Sequence, residues 1–134
     1  MNYLLDTNIC IYLIKRKPIS VLAKFNEHAV GDIGISTISV AELSYGVQKS
    51  RLRDQNQQAL LQFLGPLIIA EFDTDAAFVY GQVRAGLEAR GTPIGSLDTM
   101  IAGHALSLGV TIITNNEREF SKVPKLKVEN WING

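Results

Sequence analysis

Gly109-Val110-Thr111-Ile112-Ile113-Thr114 is the stretch that decides the fold. Gly109 suits a helix C-cap, and the β-branched apolar run behind it predicts a strand. Upstream, Ser96 can cap a helix carrying Met100, Ile101, Ala105 and Leu108. A helix leading at once into a short apolar strand is the repeating unit of a parallel sheet. The unit recurs outward in both directions. Asp73 or Thr74 caps a long helix with Ala77, Tyr80, Val83 and Leu87 on its inner face, closed by Gly91. Leu67-Ile68-Ile69-Ala70 before it reads as a strand covered on both faces. Leu60, Leu61 and Leu64 mark a helix stopping at Gly65-Pro66, preceded by a polar loop from Gln48 to Gln58. Ile33 to Ser36 is a strand, followed by a helix from about Ser39 to Val47. Pro18 suits the first turn of a helix with Val21, Leu22, Phe25 and Ala29 on one face. Tyr3-Leu4-Leu5 is the opening strand, with Ile9, Leu13 and Ile14 striping the helix behind it. Leu126 to Glu129 is a weaker last strand. The expected class is α/β: a central, mostly parallel sheet sandwiched by helices, with strand C-terminal ends along one ligand-binding edge.

Composition narrows the function. The 134 residues fit one domain, 1–134, and bury a sizeable core. Thirteen basic residues balance thirteen acidic ones, so a nucleic-acid ligand needs a local basic patch rather than bulk charge. One cysteine, Cys10, excludes a disulfide framework and a cysteine-rich zinc site. Two histidines, His28 and His104, argue against a histidine-rich metal site. The apolar runs are far short of the ~20 residues that span a bilayer. The opening Met1-Asn2-Tyr3-Leu4-Leu5-Asp6 lacks the pattern of a signal peptide. A cytoplasmic location without membrane contact is expected.

Four acids recur at that predicted edge: Asp6 after the first strand, Glu42 on the helix after the second, Asp98 opening a helix, and Glu119 after Ile113. Each also has a plain structural use. Asp6 can cap a helix, Ser39-x-x-Glu42 matches a capping box, Asp98 suits a helix dipole, and Glu119 can be a solvated acid. Caps do not explain why all four fall at one edge. Clustered carboxylates repel unless protons or a cation intervene. Oxygen donors without thiols favour Mg²⁺ or Mn²⁺, whose open coordination suits phosphoester hydrolysis.

The residues around these acids resemble a known family. Leu4-Leu5-Asp6-Thr7-Asn8 resembles the opening motif of PIN-domain ribonucleases. Ser39-Val40-Ala41-Glu42-Leu43-Ser44-Tyr45-Gly46, Pro93 to Ala105 around Asp98, and Ile113 to Phe120 resemble the motifs that follow. Their order and spacing are similar to those of VapC toxins of bacterial toxin–antitoxin pairs, over essentially the whole chain. The resemblance implies a three-layer α/β/α PIN fold and a Mg²⁺- or Mn²⁺-dependent endoribonuclease. It implies cleavage of structured RNA such as tRNA or rRNA to 3′-hydroxyl and 5′-phosphate ends, with arrest of translation. It also implies a homodimer and neutralisation by a VapB-type antitoxin. The catalytic acids carry over to Asp6, Glu42 and Asp98, which would hold the metal. Asn116 stands where many members have Asp, which moves the fourth acid to Glu119 and leaves one or two metal ions open. Thr7, Asn8, Thr114 and Asn116 would orient the acids or water.

Lys15, Arg16, Lys49, Arg51 and Arg118 are candidate RNA contacts, or else solvated surface charge. Cys10, His104 and Trp131 are expected to be structural, and His28 to lie at the surface. A phosphatase using Asp6 as nucleophile needs a second Asp two residues later, where this chain has Asn8. The other reading is a catalytically impaired PIN-like module that only binds RNA or an antitoxin.

Overall fold

The computed structural model describes residues 1–132; the last two positions of the expected 1–134 unit lie outside the described residues. The chain runs β1 (Tyr3–Leu5), α1 (Thr7–Lys15), α2 (Ile19–Asn26), β2 (Ile33–Ser36), α3 (Thr37–Gln48) and α4 (Arg53–Leu64). It continues β3 (Ile68–Ala70), α5 (Thr74–Ala89), α6 (Ser96–Leu108), β4 (Thr111–Ile113), α7 (Glu117–Phe120) and β5 (Val128–Glu129). The strands pair in the order β3-β2-β1-β4-β5, all in parallel. In register, Leu5 lies between Ile35 and Ile113, so the ends of β1, β2 and β4 are level.

Strand side chains alternate between faces, and two cores follow. Leu5 and Ile113 join Ile9, Leu13, Leu43 and Leu60 of α1, α3 and α4 on one face. Leu4 and Ile112 join Leu87, Ile101, Ala105 and Phe120 of α5, α6 and α7 on the other. The expected three layers are present. Trp131 is buried near the chain's end, as expected, with its ring parallel to His28 at 5.1 Å. His28 is therefore half-buried rather than a free surface group, and its Nδ1 lies 3.0 Å from Asp32.

Several local expectations change for physical reasons. β3 is an edge strand, so Ile68 and Ile69 are 39% and 46% exposed rather than covered on both faces. The inner face of α5 carries Ala76 instead of Ala77, and Asp73 caps this helix by accepting the Ala76 N–H. α2 ends at Asn26, leaving Ala29 beyond it. Gly95, not Ser96, is the N-cap of α6, and it makes no side-chain capping bond. α3 starts earlier than expected: Ser36 caps it by accepting the Ile38 N–H, which places Ser39 inside the helix. The capping-box reading of Ser39 and Glu42 is thereby overturned.

α5 and α6 pack closely at Gly103, where an added Cβ would lie 2.9 Å from the Tyr80 Cα and 3.0 Å from its amide nitrogen. Both atoms are backbone and cannot swing aside. Gly103→Ala should therefore destabilise the fold by about 1–3 kcal/mol, read by urea unfolding. Unchanged stability would show that the two helices slide apart freely.

Candidate functional site

Parallel strands leave β1 in opposite directions toward β2 and β4, which opens a crevice beyond their C-terminal ends. Asp6 sits in it as the first residue past β1. Its backbone N–H donates to the Ile113 carbonyl (2.8 Å), which seats it against β4. It is the N-cap of α1 and accepts the Thr7 N–H at Oδ1 (2.7 Å). The Thr114 hydroxyl donates to its Oδ2 (2.8 Å) and accepts the Asn116 N–H (2.9 Å). The capping role and the site role of Asp6 thus coincide. Asn116 acts here through its main-chain amide, which most residue types supply equally.

Glu42 lies in the second turn of α3, beside the start of α1. Thr7 donates its hydroxyl proton to Glu42 Oε1 (2.9 Å), and its oxygen lies 2.9 Å from the Ser39 hydroxyl. Ser39 is buried and belongs to this network; its local spacing pointed only to a cap. Asp98 occupies the first turn of α6. Glu119, on α7, forms an ion pair with Lys122 at 3.3 Å. Asn8 is exposed, and no hydrogen bond joins it to the acids among the described residues.

The electrostatics show that the acids share one region. Burial pushes the Asp6 carboxyl upward against the hydrogen bonds from Thr114 and Thr7, and Glu42 adds to the rise. Asp98 is pushed up to about 6, first by burial and then by Asp6, Glu42 and Glu119. Asp98 thus lies within the electrostatic reach of Asp6, Glu42 and Glu119, while the Thr7 side chain and amide tie Glu42 and Asp6 together directly. Among the described residues, no three His, Cys, Asp or Glu side chains form a ready metal cage. Hard oxygen donors that raise one another's charging cost suit a divalent cation that retains part of its water shell. It does not fit zinc, since neither a thiol nor an imidazole stands among these acids.

The basic candidates lie on separate elements. Lys15 and Arg16 are exposed at the far end of α1. The Lys49 ammonium lies 4.9 Å over the Tyr45 ring. Arg51 and Arg53 line an open groove of about 600 Å³ at the α3–α4 turn. Arg118 is exposed on α7 beside Glu119. A second groove of about 310 Å³ runs from Thr7 and Glu42 between α1, α3 and α4, over an apolar floor of Ile11, Leu43, Val47 and Leu60.

A carboxyl raised by the fold favours the protonated folded state, so its contribution is present at low pH and lost as pH rises. In EDTA, the melting temperature should fall as pH rises from the ordinary carboxylate range through about 6. Asp98→Asn should flatten that fall and raise the melting temperature at neutral pH. A wild-type curve that is flat through this window would show that the acids do not interact.

The PIN domain family matches residues 3–126. A "tRNA(fMet)-specific endonuclease VapC" of Shigella flexneri is 44% identical over 98% of each chain. The VapBC2 structure of Rickettsia felis bound to a promoter DNA fragment superposes with a TM-score of 0.92, at 43% identity, covering 98% of this chain and 99% of that one. DNA-bound VapBC of Salmonella typhimurium gives 0.93, at 42% identity, over 98% of each chain. The fold thus recurs in proteins alike from end to end, and the chain belongs to the PIN-domain family, among the VapC ribonucleases.

Proposed function

We propose that this protein is the toxin of a type II toxin–antitoxin pair, an endoribonuclease that hydrolyses phosphodiester bonds with Mg²⁺ or Mn²⁺. The observation that supports this reading most is the hydrogen-bonded placement of Asp6 and Glu42 about Thr7 at the strand ends, with Asp98 near enough for both to raise its carboxyl. Asp6, Glu42 and Asp98 would hold the ion, and Glu119 would assist. When bound, such a cation supplies a more acidic water and a counter-charge for the phosphoryl oxygens. The chain's own residues supply the order. Thr114 and the Thr7 amide hold each Asp6 oxygen in place, and the Thr7 hydroxyl holds Glu42. Lys122 neutralises part of Glu119 and lowers the barrier to an approaching phosphate. Hydrolysis by water leaves 3′-hydroxyl and 5′-phosphate ends.

The substrate proposed is structured RNA, with initiator tRNA the first candidate through the likeness to a relative named for tRNA(fMet). Lys15, Arg16, Lys49, Arg51 and Arg118 are proposed phosphate contacts. The partners proposed are a VapB-type antitoxin and a second copy of the chain, on the precedent of the VapBC structures. No helix among the described residues is long and apolar enough to cross a membrane. Action in the cytoplasm, where such RNA resides, completes the proposal.

Asn116 lends some support to a binding module without catalysis. Against it, the Asn116 main chain still completes the hydrogen-bond relay to Asp6, and Asp6, Glu42 and Asp98 are all present.

Purified protein should cut total RNA only with a divalent cation, and mapped fragment ends should carry 3′-hydroxyl and 5′-phosphate groups. Asp6→Asn or Asp98→Asn should each lower the rate at least ~100-fold, the scale of losing one transition-state stabiliser. Wild-type cleavage persisting in EDTA would rule out the metal mechanism. Growth arrest that survives Asp6→Asn would favour the binding module.

Thr7→Val removes the hydroxyl from Glu42 and leaves the shape nearly unchanged. It should lower cleavage about 10- to 100-fold at limiting metal, with recovery at high metal. A loss that metal does not restore would place Thr7 in substrate contact instead.

A further inference from the structure

Asp6 and Glu42 are held by hydrogen bonds, whereas no hydrogen bond among the described residues holds the Asp98 carboxylate. Its position is therefore set by where α6 lies. α6 is seated by two neighbouring residues on its second half. Gly103 rests against the Tyr80 backbone. His104, 1% exposed, places Nδ1 2.8 Å from the Ser36 hydroxyl. Among the described residues, this is the only hydrogen bond from an α6 side chain to another element.

Ser36 is the residue that starts α3, the helix bearing Glu42, and its oxygen also accepts the Ile38 N–H at 3.0 Å. The Phe72 ring stands edge-on to the imidazole at 5.4 Å, and the Phe72 N–H donates to Thr37 Oγ1 at 3.0 Å. The imidazole thus meets α6, the β2–α3 junction and the segment after β3. Its Nε2 is buried near the Glu71 backbone without a well-formed hydrogen bond. A polar ring kept at such a cost is unexplained by packing, which an apolar residue would satisfy.

We propose that the His104–Ser36 hydrogen bond is a positioning device that sets Asp98 on α6 against Glu42 on α3, and so the divalent-ion affinity of the crevice. The inference rests on the metal site proposed above. His104 touches neither acid and acts only through the two helices. Removing the bond frees α6 to shift along or rotate against the β2–α3 junction, and Asp98 moves with it.

The test is Mn²⁺ binding to the free protein, followed by electron paramagnetic resonance, alongside melting temperatures. His104→Leu should weaken Mn²⁺ binding about tenfold or more, the scale for losing a group that orients ligands. His104→Asn, which offers an amide atom near the Nδ1 position, should recover most of that loss. Leu87→Ala in the same core should lower the melting temperature without changing Mn²⁺ affinity. Should His104→Leu not fold, His104→Gln carries its amide outward toward the Nε2 position and loses the Ser36 bond while leaving the α3 cap intact, and it must weaken Mn²⁺ similarly. Wild-type affinity in the Leu variant (or in His104→Gln where the former does not fold) would overturn the proposal. So would equal weakening by Leu87→Ala. The nuclease reading fails separately, if wild-type protein binds Mn²⁺ but cuts no RNA; failure to bind Mn²⁺ at all would sink both.

Discussion

A carboxylate with 4% of its surface exposed sits at the end of the central strand, and the arrangement of the site depends on it. Burial of Asp6 is unfavourable for its charge, and the chain compensates with hydrogen bonds from both flanks. One comes from the helix that Asp6 itself begins. The other comes from Thr114, which follows the neighbouring strand. Because the second bond crosses from β1 to β4, the carboxylate can hold its place only if the parallel register is correct. Function and fold are coupled at this point. The same geometry that caps α1 also aims an anionic oxygen into the crevice.

Around that fixed group the other acids differ in how firmly they are held. Glu42 is tied to Thr7, one residue from Asp6, so the first two acids move as a unit. Glu119 is balanced by Lys122, just past the end of its own short helix. Asp98 alone depends on helix packing, and burial and the other three acids raise its carboxyl. Such an assembly is costly without a counter-ion, and this trade of stability for chemistry is common at functional sites. Cys10, buried behind Asp6, is pushed well up by burial and by the nearby negative charge, which suits an inert core residue.

Much of this was legible from residue order. The strands before Asp6 and Thr114 showed as short β-branched or apolar runs, and the acids stood directly beyond them. The resemblance to PIN-domain ribonucleases named Asp6, Glu42 and Asp98. Less legible were the ends of helices and the exposure of β3. Ser39 and Glu42 match a capping box, yet Ser36 takes the cap because its backbone leaves β2 in extended form at the right place. Leu67 to Ala70 is apolar enough for a central strand, yet it lies at the sheet's edge, since strand order is not a local property. The partner of Glu119, three residues on, lay within helical spacing.

What residue order alone determined was the alternation of strand and helix, the choice of oxygen over sulfur and nitrogen donors, and which acids follow strand ends. Those properties depend on side-chain type and on spacings of a few residues, which chain stereochemistry translates directly. Only the tertiary structure decided that Thr7 serves Glu42, that Thr114 serves Asp6, and that His104 meets Ser36. These pairs are separated by 35, 108 and 68 residues. Their meeting depends on strand order, register and the seating of helices on opposite faces, and no local spacing encodes it.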